Sequence, residues 1–443
     1  MKLDVLSDNQ IIGQLTHDAS TNLFGFEYSP MWLVLPAAYA LSPLIPLRPR
    51  ADTTAELHSA AVRQFFENLL PEGRALEDAA LANNISKANL VGLMVALGGE
   101  TAGSFQIILS ATQHQKPAVK RLLTPKELSE RIAGRPDEPF SVWDGKVRLS
   151  IAGYQDKVAV FKENNQWFLV EGPDLASTVI LKPAPVKAGL TNLPSNEFFC
   201  MRLAKHVGLP VAGARLLHIP DPVLEIDRFD RKVEPTGRVR RIPIIDACQA
   251  LGLSVGFKYE RPYGNNKDVR NIREGASFSR VFQFLENSHK PAVEKLKMLR
   301  WALFQIFIGN TDAHAKNISF YSSNAGFTAT PSYDLVSILA YDDLNFEQGF
   351  AMAIGDAFLE SELTAFQWAH FAIKCGLSPK QVAFEMKKFI EKLQKVVPVA
   401  VNEVLAEGAE ADIVNKIVMV IQRMSDRHSA LVAKIPEVDP TLF

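Results

Sequence analysis

The stretch GNTDAHAKNISF (residues 309–320), followed by PSYDL (331–335), decides the reading of this chain. It sets Asp312 and Asn317 five residues apart and Asp334 seventeen residues further on. Phosphoryl transfer asks little covalent chemistry of a protein: a carboxylate near the acceptor hydroxyl, and oxygen ligands that hold magnesium against the phosphates. Asp312 as base, with Asn317 and Asp334 as magnesium ligands, supplies that set in kinase order. Any one of these carboxylates alone is more simply a turn residue. Three metal-competent residues at these intervals point to an ATP-dependent kinase.

The flanking pattern gives the loop its place. Pro291 to Gly309 is apolar on most sides and predicts a buried helix at the centre of a helical lobe. A short strand at Ile318–Tyr321 and a hairpin through Ser322–Thr330 return the chain to Asp334. Beyond Arg241 strands nearly vanish, and helices are expected at 360–375, 379–396, 399–407 and 411–432. Upstream, strands are expected at 146–151, 157–163, 167–171, 178–181, 215–219 and 222–229. One helix, Asn196–Val207, interrupts them, with Ser195 as N-cap and Gly208 as stop. Lys182 ends an apolar strand as a kinase lysine does, although an exposed strand-end lysine reads equally well; Glu197 is its possible partner. The loop from Ser150 to Lys157 holds a single glycine, Gly153, and by itself passes as an ordinary hairpin. His314 and Lys316 are phosphate contacts or solvated loop residues. The basic run Arg228, Arg231, Lys232, Arg238, Arg240 and Arg241 reads as a solvated hairpin first and an anion or protein dock second.

The first hundred residues form a small α+β module: strand alternation over 4–15 and 23–28, then helices at 55–70, 75–83 and 87–97. Residues 28–47 carry no charge but contain four prolines, which disfavours a membrane helix. With 48 basic and 49 acidic residues, net charge −1, no overall field draws the protein to nucleic acid or an anionic membrane. Cys200, Cys248 and Cys375 form no CxxC pair, which speaks against a zinc site or a disulfide framework and for reduced cytoplasmic thiols.

Taken together, VRLSIAGYQDK (147–157), ILKP (180–183), IDRFDR (226–231), DACQALG (246–252), GNTDAHAKN (309–317) and SYDL (332–335), with FFENLLPEG (65–73) upstream, resemble the HipA family, serine/threonine kinase toxins of bacterial type II toxin–antitoxin modules. The resemblance implies an α+β, bilobal protein-kinase-like fold. Its β-rich N-terminal lobe would carry an added α+β subdomain, and its C-terminal lobe would be all-helical. The segments are 1–110, 120–240 and 241–443. It implies ATP and Mg2+ as cofactors, with Asp312 as base and Asn317 and Asp334 on the metal. The nucleotide would be held by Ala152, Gly153, Tyr154, Gln155, Asp156, Lys157, Lys182, His314, Lys316 and Tyr333, with Asp227 and Phe229 at the adenine hinge. Ser150 matches a serine that the family autophosphorylates, which switches the enzyme off. Tyr154 and Asp156 replace a small residue and a glutamate of better-known members, and Glu100 stands where aspartate is expected.

The implied partners are an aminoacyl-tRNA synthetase, whose phosphorylation arrests translation and growth, and a small helix-turn-helix antitoxin of the HipB kind. Operator DNA would be reached mainly through the antitoxin, and no membrane is involved. A kinase-shaped transcriptional corepressor is the alternative, and a small-molecule or lipid kinase the third reading.

Overall fold

The computed structural model describes residues 1–109, 118–135, 138–148, 155–186, 189–341 and 349–443. Ser150, Ala152, Gly153 and Tyr154 lie outside them. The chain divides into two compact units, 1–186 with 217–255 and 319–326, and 187–216 with 256–318 and 327–443.

The first unit is built on antiparallel sheet. The expected strand over 4–15 is a hairpin of Lys2–Ser7 and Gln10–Asp18, because Asp8 and Asn9 both take positive φ, 47° and 68°, the conformation of a two-residue hairpin turn. Leu23–Tyr28 and Phe105–Ile108 complete this sheet on either side. The helix Ala55–Glu67 covers it, and its Ser59 Oγ accepts the N–H of Phe24 while His58 Nε2 accepts that of Phe26, so side chains satisfy an edge strand. The proline-rich stretch is a short helix, Pro30–Leu33, and turns. No helix of the described residues is long and apolar enough to cross a membrane.

A second sheet has six strands in the order Ala214–His218, Pro222–Asp227, Val179–Pro183, Val158–Glu163, Gln166–Glu171, Val119–Leu123. Its core is Val158, Val160, Trp167, Leu169, Val179, Leu181 and Val223, closed by Leu128 and Ile132 of a helix that the pattern did not predict, Pro125–Ala133. Thr124 caps that helix by accepting the N–H of Glu127.

The second unit is mainly helical. Pro291–Phe307 is its buried centre: Leu299, Ala302, Leu303, Phe304 and Phe307 are essentially inaccessible. Phe307 packs on Phe389 at 5.4 Å and on His428 at 4.9 Å. Two expectations are corrected here. The helix expected from Asn196 begins at Leu193, so Ser195 is no cap but an internal, buried residue whose hydroxyl donates to Glu410. The two helices expected on either side of Pro398 are one, Pro379–Ala406, with the proline inside it. Burial of its apolar face outweighs the one donor that proline removes. Beyond Arg241 the strand Ser319–Ser323 and the hairpin to Gly326–Ala329 are as expected, and one further strand, Ile244–Asp246, was not; Ile244–Asp246 and Ser319–Ser323 belong to the first unit.

Candidate active site

The loop that follows the central helix is held from beneath. Gly309 has φ +68°, and a Cβ there would stand 2.8 Å from Leu339 Cβ, so glycine is required. Its carbonyl accepts the N–H groups of Ile338 and Leu339 at 3.1 and 3.0 Å, which folds the segment after Asp334 back onto the loop. Asn196 clamps the same segment from the neighbouring helix, donating to Ser337 O and accepting from Ser337 N. Asn310, buried, accepts the N–H of Asp312 at 3.1 Å and donates to Gln305 Oε1 at 2.8 Å. Asn317 closes the turn: its Nδ2 donates to the Asp312 carbonyl at 3.0 Å, which leaves the amide oxygen, a hard donor, for a cation.

One feature of this loop stands apart. From Trp301 to Phe320 every residue is buried except Asp312. A carboxylate is thus presented to solvent from an otherwise dry, rigid frame. Tyr259 donates its hydroxyl to Asp312 Oδ1 at 2.6 Å. Asp334 is half-buried and holds φ +51°, a left-handed backbone that costs a non-glycine residue about 1 kcal/mol and recurs at functional positions. Tyr333 beside it donates to the Lys316 carbonyl at 2.8 Å, joining the Asp334 segment to the Asp312 loop. His314 is buried, with no hydrogen-bond partner on Nδ1. Burial first, then Lys258, hold its pKa well below the usual histidine value despite Asp334, so the ring is neutral.

Among the described residues no group of three or more His, Cys, Asp or Glu side chains is placed to hold a metal. The donor set at the loop is one carboxylate and one amide. That fits magnesium, which takes one or two protein oxygens and completes its shell with phosphate and water.

In the first unit, Lys182 lies buried on the strand Val179–Pro183, opposite Leu224. Gln155 Nε2 donates to the carbonyl of Pro183 at 3.1 Å, so the end of the phosphate-loop candidate is fastened beside that lysine. Asp156 faces Arg135 at 3.5 Å, and Arg135 also donates to Ala184 O. Lys157 is buried. Asp227 and Phe229 are half-buried, and alternate with buried Arg228 and Asp230.

The basic run is therefore not a solvated hairpin. Arg228, Arg231 and Arg241 are buried with Asp230, beside the half-buried Glu100; only Lys232 and Arg240 of the run are exposed. Asp230 accepts from Arg228 at 2.7 Å, from Arg231 at 2.8 Å and from the Gly103 N–H at 2.7 Å. Glu100 lies 2.9 Å from Arg241, 3.2 Å from Arg228 and 3.4 Å from Arg231. Burial pushes the Glu100 pKa up, but Arg241, Arg231 and Arg228 outweigh it and hold it at about 2. Asn310, Tyr259 and this cluster were missed from sequence because nothing in local spacing joins Glu100 to residues beyond 227, or Tyr259 to a loop fifty residues away.

Residues 3–108 match the family described as HipA N-terminal domain and residues 149–397 the HipA-like C-terminal domain. The chain is 37% identical over 407 residues to the serine/threonine-protein kinase toxin HipA of Shewanella oneidensis, covering 91% of this chain and 89% of that one. It is 33% identical to the putative kinase Y4mE of Sinorhizobium fredii, over 89% and 90% of the two chains. The solved complex of the Shewanella oneidensis MR-1 toxin–antitoxin system HipA, HipB and operator DNA contains a chain that matches with TM-score 0.86 at 35% identity, covering 99% of this chain and all of that one. The chain belongs to the HipA family of serine/threonine kinases.

Proposed function

We propose that this chain transfers the γ-phosphate of ATP to a serine of a protein substrate, with Asp312 as the base. The observation that carries the reading is the single exposed carboxylate in the buried run 301–320, with Asn317 fastened to its backbone. In the step, the serine oxygen forms a bond to Pγ as the bond from Pγ to the β,γ-bridging oxygen breaks; the serine proton passes to Asp312 and ADP leaves. Asn317 and Asp334 would hold magnesium, which screens the phosphate charge. Lys182, with Gln155, Asp156 and Lys157, would bind the phosphates, Tyr333, His314 and Lys316 would line the nucleotide site, and Asp227 and Phe229 would flank the adenine. Segments 1–110, 120–240 and 241–443 would serve as added subdomain, nucleotide lobe and catalytic lobe.

The biological role we assign is that of a toxin kinase acting on a translation enzyme, an aminoacyl-tRNA synthetase, restrained by phosphorylation of its own Ser150. A dianion on a loop that must cradle ATP repels the nucleotide. A helix-turn-helix antitoxin would hold the chain on operator DNA, as HipB and DNA accompany the Shewanella protein. The near-zero net charge favours a contact made through that partner. A second reading, corepression independent of catalysis, draws on the same complex and predicts that Asp312→Asn leaves operator binding intact.

Incubation with magnesium and γ-labelled ATP, with phosphosite mapping, tests the proposal. Label on Ser150 of the wild-type chain, absent from Asp312→Gln and Ser150→Ala, supports it. No label and no ATP binding would overturn it.

A further inference from the structure

We propose that Tyr259 is a positioning residue for phosphate transfer, orienting the Asp312 carboxylate through its hydroxyl; this rests on the reading of Asp312 as the base. The bond from Tyr259 Oη to Asp312 Oδ1 is 2.6 Å, the short range of a hydroxyl on an ionised carboxylate. The tyrosine is itself immobilised from three sides. The preceding carbonyl, of Lys258, accepts the N–H of Ala315 at 3.1 Å, which ties the segment to the turn between Asp312 and Asn317. The tyrosine ring meets the neutral His314 ring edge-on, with centroids 5.1 Å apart and planes at 89°. The backbone on either side is pinned, Phe257 O by Ala276 N at 2.9 Å and Glu260 N by Ala351 O at 2.9 Å. A Cβ on Gly275 would stand 1.8 Å from the Tyr259 carbonyl, so the chain closes directly over this residue.

A fixed hydroxyl on Oδ1 selects one orientation, so the acceptor proton meets the carboxylate without a search.

The test compares the full-length wild type, Tyr259→Phe, Asp312→Asn and the double variant, using γ-labelled ATP, magnesium and dephosphorylated casein as acceptor. Tyr259→Phe keeps the ring on His314 and removes only the hydroxyl. We expect kcat to fall about tenfold with KM for ATP within about twofold of wild type and an unchanged urea midpoint. In the Asp312→Asn background the same substitution is expected to change nothing further, because its effect runs through the carboxylate. Wild-type kcat in Tyr259→Phe would overturn the inference, as would an equal loss in the Asp312→Asn background, which marks a merely structural role. Asp312→Asn as active as wild type would instead remove the base reading, and the inference with it.

Discussion

Two places in this chain bury polar groups deeply and treat a carboxylate in opposite ways. Around Asp230, three buried guanidiniums gather on that buried carboxylate and on the half-buried carboxylate of Glu100. In the loop 309–317 the groups taken inside include the amides of Asn310 and Asn317, the neutral ring of His314 and the Lys316 side chain, while the Asp312 carboxylate keeps its contact with solvent. Desolvated charges must neutralise one another, so the first arrangement is a fastening between the residues of the N-terminal family domain and the strands after 227. A carboxylate proposed as a base must stay reachable by a substrate, and the second arrangement spends its buried hydrogen bonds on holding the backbone still.

The comparison predicts a crossover of effects. The largest is on activity: Asp312→Asn should lower phosphate transfer about a thousandfold while its urea unfolding overlays the wild type. A variant that instead unfolds early would place Asp312 with the structural cluster. Asp230→Asn should do the reverse, lowering unfolding stability by about 3–5 kcal/mol in urea, since it strips a carboxylate from buried Arg228 and Arg231.

Acid sharpens the same contrast. The Glu100 pKa is depressed to about 2, so its contribution is complete above the ordinary glutamate value near 4.5 and is lost as pH falls toward 2. Glu100→Gln should therefore cost stability at neutral pH and flatten the loss of stability between about pH 4.5 and 2, read as unfolding midpoints across that range. The smallest effects belong to Lys232→Ala and Arg240→Ala, exposed members of the same basic run, each expected within about 0.5 kcal/mol of wild type by urea titration. A larger change would show that the fastening extends to the surface.

The sequence alone determined a good deal. The apolar run before Gly309 specified the buried helix, since an all-round apolar helix has nowhere to go but the interior. The intervals among Asp312, Asn317 and Asp334 specified a candidate phosphotransfer loop, because those residue types are needed in that order. Alternation specified most strands, and ordered motifs along nearly the whole length specified the family.

What the sequence left undecided were interactions between distant residues. Arg228 and Arg231 read as solvated because their carboxylate Glu100 comes more than a hundred residues earlier. Ser195 reads as a cap because nothing local reveals Glu410, and Pro398 reads as a break because nothing local reveals the face that packs around it. Tyr259 carries no motif at all; only the closing of the chain brought its hydroxyl onto Asp312. Local chemistry fixes the period of an element and the order of a site, whereas burial, and with it the fate of a charge, depends on what the rest of the chain brings near.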